Sequence, residues 1–241
     1  IRLMEKDHKL KLGYRKAGSI DMIDADPTGM SYLFPASQTA LELYKDRIGA
    51  TRRDEIALNT PLVLYTHKLV RDRLVAAGLI TENGGSYYMD MQQFAQAIID
   101  GKSWADLGLP ELYGSLSVKT TDPTKSNSGN MFAGLVANSL NGGQVVGAAS
   151  LDSILPELQA FFQRMGYMDT SSADLFSQFL KMGVGAYPMI AAYENQLLEF
   201  AVEHPEEWEQ LDGEIVLVYP TPTVYSSHVL IALDEKGDRA I

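Results

Sequence analysis

The stretch of the sequence best suited to do chemistry is Thr121–Gly129, which leads directly into an amphipathic helix pattern. The first amides of a helix have no partner inside the helix, and the helix dipole places about half a positive charge at that end. Ser126 and Ser128 add hydroxyl groups at this point, Asn127 adds an amide, and Gly129 adds no side chain. A helix start with these residues is suited to bind an anion.

Helix capping is the simpler interpretation of the same serines, because a serine at a helix start accepts a backbone hydrogen bond. One cap accounts for only one serine, whereas residues 126–129 read Ser-Asn-Ser-Gly. We therefore predict that Ser126, Asn127, Ser128 and Gly129 contact a ligand. Lys125, just before them, is interpreted as a solvated loop residue.

Two more junctions between a predicted strand and a predicted helix carry small residues with hydroxyl groups. One is Gly18-Ser19, and the other is Ser37, which follows Pro35-Ala36. In α/β proteins, ligands bind outside the carboxyl ends of strands, where loops meet helix starts. Gly18, Ser19 and Ser37 are therefore candidate ligand residues, although Ser37 also fits a plain N-cap.

The composition bounds the possible functions. The 241 residues allow one large domain or two small ones, and a formal net charge of −11 argues against nucleic acid or an anionic membrane as partner. Cysteine is absent, which excludes disulfides, thiolate metal sites and a cysteine nucleophile. The four histidines lack metal-ligand spacing, and no nucleophile elbow, P-loop or dinucleotide fingerprint occurs. We predict no metal, no cofactor and no enzymatic activity.

Helix and strand patterns alternate along most of the chain, which predicts an α/β protein with mainly parallel sheets. Leu62–Tyr65 is an apolar run typical of a strand covered on both faces. Residues 114–120 alternate in the manner of a strand, and the apolar run 184–193 is also predicted as a strand. The residues 83–86 are predicted to form a loop, and residues 9–14 a short strand.

Four segments together suggest a family. They are Tyr32–Gln38, Asn59–Tyr65, Thr121–Gly129, and Tyr219-Pro220 with residues 225–233. In their order and spacing they resemble the type II extracytoplasmic solute-binding proteins of ABC importers, in the branch that includes molybdate-type and sulfate-type oxyanion binders. The resemblance covers most of the chain from Gly18 onward.

This resemblance implies a two-lobed fold, with each lobe a mainly parallel sheet flanked by helices and with two hinge crossings near Thr66 and Ala192. Lobe I would comprise residues 1–66 and 193–241, and lobe II residues 67–192. The ligand would lie in the cleft between them. Gly18-Ser19 and Ser37 would form one wall and Ser126–Gly129 the other, and Tyr193 would take the place of a ligand-facing residue of the family.

The implied function is capture of a small solute, with an oxyanion favoured, by closure of the lobes and delivery to an ABC permease. Such a protein is extracytoplasmic, in a periplasm or as a cell-surface lipoprotein, and acts as a monomer. The chain begins at Ile1 without an initiator Met, so we expect a trimmed product or a partial chain, with any signal segment outside it. No apolar run approaches the ~20 residues that span a bilayer.

Two features depart from the family pattern. First, no opening strand with a ligand loop is found before Lys9. Second, Glu194 follows Tyr193, and if its carboxylate pointed into the cleft it would repel an oxyanion. Two alternative functions therefore stay open. One is a ligand-binding sensor or interaction domain that is not coupled to transport, and the other is an enzyme that uses the same cleft.

Overall fold

A computed structural model describes residues 11–211, 213–239 and 241. The helices in chain order are α1 (Asp21–Asp24), α2 (Gln38–Arg47), α3 (Lys68–Ala76), α4 (Met91–Ile99), α5 (Asn127–Leu140), α6 (Ala148–Met165), α7 (Ser172–Ala186), α8 (Asn195–Glu203), α9 (Pro205–Leu211) and α10 (Glu235–Asp238). The strands are β1 (Tyr32–Leu33), β2 (Arg53–His67), β3 (Ile80–Asn83), β4 (Ser86–Asp90), β5 (Met189–Tyr193), β6 (Ile215–Thr221) and β7 (Tyr225–Ala232).

The 15-residue strand β2 connects the two ends of the sheet. Its first part, as far as Pro61, pairs with β7, and its second part, from Leu62, pairs with β5 and β6. The strand order is β1-β7-β2-β6-β4-β3, with β5 on β2. One strand thus belongs to both groups of paired strands, and its pairing partners change at Pro61.

The predicted α/β class is confirmed, but the pairing of the strands differs from the mainly parallel sheets that were expected. Of the six strand pairs in the described residues, only β4 with β6 is parallel. The alternation of helices and strands along the sequence does not determine which strands become neighbours. Here β2 pairs with strands that follow it by more than a hundred residues, so the simple strand–helix–strand unit is not the repeating element.

Three local predictions need correction. Residues 114–120 form isolated bridges, such as Lys119 with Ile190, rather than a continuous strand. The loop predicted at residues 83–86 is present, by contrast, as the turn of the β3–β4 hairpin, with φ of 59° at Gly84 and 81° at Gly85. Two adjacent residues with positive φ are typical of a type I′ turn, for which glycine is favoured. The apolar run 184–193 does not form one strand, because its first residues belong to the end of α7 and its last residues to β5. Of the strand predicted at residues 9–14, residues 11–14 are irregular, and residues 9 and 10 lie outside the described part.

The core explains why β2 is so apolar in its second half. Leu62 and Leu64 point into a large cluster beneath α3, α4, α5 and α6, whereas Val63 and Tyr65 point into a second cluster with α7 and α8. All four side chains are fully buried, which confirms the strand covered on both faces. A third, smaller cluster lies under α2 and includes Leu41.

The predicted lobe boundaries, 1–66 with 193–241 and 67–192, stay a prediction. The strand pairing favours a division nearer Pro61, where β2 changes partners, and residues 222–224, where the chain passes from β6 to β7. No helix within the described residues combines the length and the apolar character that a membrane crossing needs.

Two half-buried histidines make the stability of the fold depend on pH. Burial lowers the pKa of His67, whose Nε2 lies 3.1 Å from the Tyr187 carbonyl oxygen, and burial likewise lowers the pKa of His228. In the unfolded chain histidine titrates near pH ~6.5, so below that pH the unfolded state binds more protons than the folded state. The free energy of unfolding should therefore fall as the pH drops below about 6.5.

Urea denaturation between pH 5 and pH 8 measures this effect. The variant His67→Gln should show a weaker dependence on pH than the wild type. Equal pH dependence in the wild type and His67→Gln would show that the His67 environment does not disfavour the charged ring.

Candidate functional site

The start of α5 has a network of hydroxyl groups instead of a conventional cap. Ser126 occupies the N-cap position, but no side chain accepts a hydrogen bond from the first amides of the helix. The Ser126 Oγ lies 3.0 Å from the Ser128 Oγ, which in turn lies 2.7 Å from the Thr121 Oγ1. The serines therefore bind one another, and helix capping does not account for them.

The Asn127 side chain connects three segments of the chain. Its Nδ2 donates to the Ala36 carbonyl oxygen at 2.8 Å and to the Tyr193 Oη at 2.9 Å. Ala36 lies between β1 and α2, and Tyr193 ends β5. The amide of one residue thus holds the start of α5 against both of these elements.

The junction at Ala36 is fixed by two more hydroxyl groups. The Ala36 amide donates to the Ser19 Oγ at 3.0 Å, and the Ser226 hydroxyl donates to the Ala36 carbonyl oxygen. Gly18 lies close to the loop before α5, since a Cβ on Gly18 would be 3.5 Å from the Lys125 carbonyl oxygen. The predicted Gly18-Ser19 and Ser126–Gly129 segments are therefore neighbours in the fold.

A cleft of about 1640 Å³ opens at this meeting point. Six of the eight predicted ligand residues line it: Gly18, Ser19, Ser126, Asn127, Ser128 and Tyr193. Ser37 and Gly129 do not. Ser37 is buried and caps α2, accepting from the Thr39 amide at 3.1 Å, and Gly129 is packed against the Thr121 backbone.

The lining of the cleft is basic although the chain as a whole is acidic. It includes two carboxylate residues, Asp26 and Glu55, and seven basic residues, namely Lys11, Arg15, Lys16, Arg53, Lys125, Lys236 and Arg239. Lys125, predicted as a solvated loop residue, is 64% exposed and pairs with Asp122 at 3.4 Å. The basic residues are scattered along the sequence, so their gathering was not evident from it. The local charge favours an anion more than the net charge of −11 suggests.

The Tyr193 phenol is a hydrogen-bond donor at any ordinary pH. Burial raises its pKa above the usual value of about 10, and its hydrogen bonds with Asn127 and with Ser226 oppose this rise only in part. The Tyr193 ring also packs edge-on against His228, with ring centroids 6.2 Å apart. The phenol thus stays neutral and keeps its proton.

Glu194 does not place a carboxylate in the cleft. Its Oε1 accepts a hydrogen bond from the Tyr219 hydroxyl, and the residue is absent from the cleft lining. The conflict that the sequence raised between Glu194 and an anionic ligand is therefore removed.

Several residues around the cleft were not predicted. Ala36 contributes a backbone atom, and Ser226 lies within a strand without a motif, so neither gives a signal in the sequence. The run Thr170-Ser171-Ser172 also lines the cleft, at the start of α7. It resembles Ser126–Gly129 in composition, and that similarity was a usable signal. Among the described residues, no group of three or more histidines and carboxylates is arranged to hold a metal.

The close contact between the α5 start and Thr121 should make Gly129 sensitive to substitution. A Cβ at Gly129 would lie 2.2 Å from the Thr121 carbonyl oxygen. Overpacking of this kind costs about 1–3 kcal/mol, so Gly129→Ala should lower the free energy of unfolding by that order. Gly134→Ala, in the same helix with no atom within 4 Å of the added Cβ, should instead stabilise by about 0.5–1 kcal/mol.

Denaturant unfolding of the two variants tests this packing. Similar free energies for Gly129→Ala and Gly134→Ala would contradict the close approach of α5 to Thr121.

No protein-family model matches the chain, and no curated protein matches it. Several solved structures are similar to the chain. The periplasmic molybdate-binding protein of Azotobacter vinelandii is 13% identical with a TM-score of 0.55, over 99% of this chain and 82% of that one. A Bordetella parapertussis protein, provisionally described as an extracellular solute-binding protein, is 10% identical with a TM-score of 0.56, over 99% and 71%.

A two-component system protein of signal transduction is also similar, at 12% identity and a TM-score of 0.51, over 100% of this chain and 74% of that one. Identities this low establish a shared fold and nothing finer. The chain shares with these solved structures a mixed α/β fold, in which a sheet is flanked by helices.

Proposed function

We propose that this chain is an extracytoplasmic solute-binding protein that captures a small anion, with an oxyanion favoured, in the cleft at the start of α5. One observation carries the proposal. The uncapped N-terminus of α5 is tied by Asn127 to Ala36 and Tyr193, and it faces a cleft lined by seven basic and two acidic residues.

The donors around the cleft are sufficient for useful affinity. Hydrogen bonds to a charged group contribute roughly 1.5–3 kcal/mol each, and micromolar binding needs about 8 kcal/mol. The first amides of α5, the Ser126 hydroxyl and the Tyr193 phenol form such a set of donors. The basic side chains raise the local concentration of anions without having to contact the ligand.

Closure of the cleft is part of the proposal. In two-lobed proteins a few residues at the crossings absorb the change in backbone angles. The strand pairing supports crossings near Pro61 and residues 222–224, and the boundaries near Thr66 and Ala192 remain the alternative from the sequence. Closure excludes water, which strengthens each hydrogen bond to the charge of the ligand.

Delivery of the solute to an ABC permease is the favoured use of this binding, with the protein acting as a monomer outside the cytoplasm. The solute-binding names of two similar structures support it. We also propose that the chain is not an enzyme. The proposed location is a periplasm, or the cell surface for a lipid-anchored form of the protein.

A sensor is the second candidate, and the similarity to a two-component system protein favours it. The same cleft would then report the presence of the anion instead of delivering it. A neighbouring gene pair for a permease and an ATPase would support transport. A signalling domain joined to this chain would support sensing.

A thermal-shift panel tests the proposed ligand class. It should include molybdate, sulfate, phosphate, organic acids, amino acids and neutral sugars. An anion at 100 times its Kd should add about 2.7 kcal/mol of stability, which corresponds to roughly 5–10 °C in Tm for a chain of this size. A shift with neutral or cationic solutes alone would contradict the anion proposal.

A further inference from the structure

We propose that the cleft takes an elongated organic dianion, with one charged group at the start of α5 and a second charged group at the opposite, basic end of the cleft. This inference rests on the proposed function and names the class of ligand that the whole cleft fits. The two acidic groups of such a ligand are carboxylates or phosphonates, and an apolar body joins them.

The cleft extends well beyond the start of α5. Ala36, which Asn127 holds, and Tyr32 both line it. The backbone between them is extended, because β1 pairs with β7 and the Val229 amide donates to the Pro35 carbonyl oxygen at 3.0 Å. A strand advances about 3.3 Å per residue, so the steps from residue 32 to residue 36 separate the two ends by about 13 Å. An inorganic oxyanion at one end reaches only groups within one hydrogen bond, about 3 Å.

The end of the cleft near Tyr32 is basic. Arg53 lies at this end, because it pairs with Ala232, which in turn pairs with Tyr32 on the other side. The helix α10 follows β7 directly and adds Lys236 and Arg239 to the lining. These three residues, Arg53, Lys236 and Arg239, form the basic end of the cleft.

Two of the three cations at the basic end are not paired with a carboxylate. Arg53 is shared, since its guanidinium lies 3.7 Å from an Asp238 oxygen and 3.9 Å from a Glu55 oxygen. Lys236 and Arg239 form no salt bridge within the part of the chain that the structure describes, and both line the cleft. Cations in this position are suited to pair with an anionic group of a ligand.

The carboxylates of the same segment are turned to other partners. The Asp234 carboxylate accepts from the backbone amides of Lys236 and Gly237, each at 2.8 Å. Asp234, Glu235 and Asp238 are all absent from the lining of the cleft. The segment therefore presents its cations to the cleft and keeps its carboxylates out of it.

Apolar side chains line the cleft between the two ends. Phe34 lies between Tyr32 and Ala36 in the sequence, and Ile56 pairs with Val229, which contacts Pro35. Phe34 is 40% and Ile56 48% exposed. Covering such surface with a hydrocarbon or aromatic body is favourable, whereas an inorganic oxyanion gains nothing from it.

The three parts of the cleft together define the class of ligand. One charged group at the start of α5, an apolar body over Phe34 and Ile56, and a second charged group at the basic end fill the cleft along its length. Its volume of about 1640 Å³ exceeds the roughly 300–1,000 Å³ of sites for drug-sized ligands, so a ligand much larger than an inorganic oxyanion has room.

Isothermal titration with linear dicarboxylates from succinate to sebacate tests the length of the ligand, and decanoate tests the need for the second charge. Succinate is too short to join the two ends. Sebacate should bind at least about tenfold more tightly than succinate or decanoate, since one hydrogen bond to a charge is worth roughly that factor. Linear bisphosphonates of the same lengths form a parallel series. An increase of affinity with length in either series supports the inference, and the tighter series identifies the acidic group.

The double variant Lys236→Gln with Arg239→Gln tests the basic end. It should weaken the binding of sebacate by about tenfold. Binding of succinate and sulfate should change by less than about threefold, because the basic end lies beyond the screening length of about 8–10 Å from the start of α5. Lys181→Gln removes an exposed cation outside the cleft lining and should leave the affinity for every anion unchanged.

A matched pair of substitutions on β2 tests the apolar part of the cleft. Ile56 lines the cleft, whereas Leu58, 43% exposed on the same strand, does not. Ile56→Thr should weaken the binding of sebacate by about threefold, because less apolar surface is covered, and Leu58→Thr should not.

The outcomes separate this inference from the proposed function. Equal affinity for succinate, decanoate and sebacate, or loss of sulfate and sebacate binding in parallel in the double variant, would overturn the inference and leave the proposed function standing. Absence of binding of every anion to the wild type would contradict the proposed function itself.

Discussion

The side-chain amide of Asn127 is the interaction on which the rest of the site depends. It is the first residue of α5, and its two N–H groups hold a carbonyl oxygen beyond β1 and a phenol at the end of β5. An amide is suited to this position because it brings two donors without a charge, so the positive end of the helix is not neutralised. A carboxylate here would oppose both the Ala36 carbonyl oxygen and an incoming anion.

The buried strands of the sheet hold the partners of Asn127 in place. The second half of β2 is buried on both faces, and it carries β5 on one edge and β6 on the other. Tyr193 is therefore the end of a strand fixed in the core, while the α5 start is fixed by Gly129 against Thr121. A rigid framework thus places two donors, and the basic side chains come from the surrounding loops and the chain ends.

Much of this arrangement follows from the sequence. The four residues Ser126–Gly129 predict a helix start with more polar groups than a cap needs. The apolar run Leu62–Tyr65 predicts a strand that is buried on both faces. Ser37 shows the limit of such reasoning, because a serine at a helix start fits both a ligand contact and a cap, and the structure shows its Oγ accepting from the Thr39 amide. Strand pairing is set by contacts between distant segments, so the antiparallel partners of β2 had no local signal. The basic lining had none either, since its members are scattered along the chain from Lys11 to Arg239.

The most direct measurement of the central claim is a crystal structure of the protein grown with tungstate, whose anomalous signal locates the anion without prior assumptions. One strong peak is expected within hydrogen-bond distance of the first α5 amides, the Ser126 Oγ and the Tyr193 Oη. A peak held only by the surface lysines and arginines, or crystals without bound anion at saturating tungstate, would contradict it.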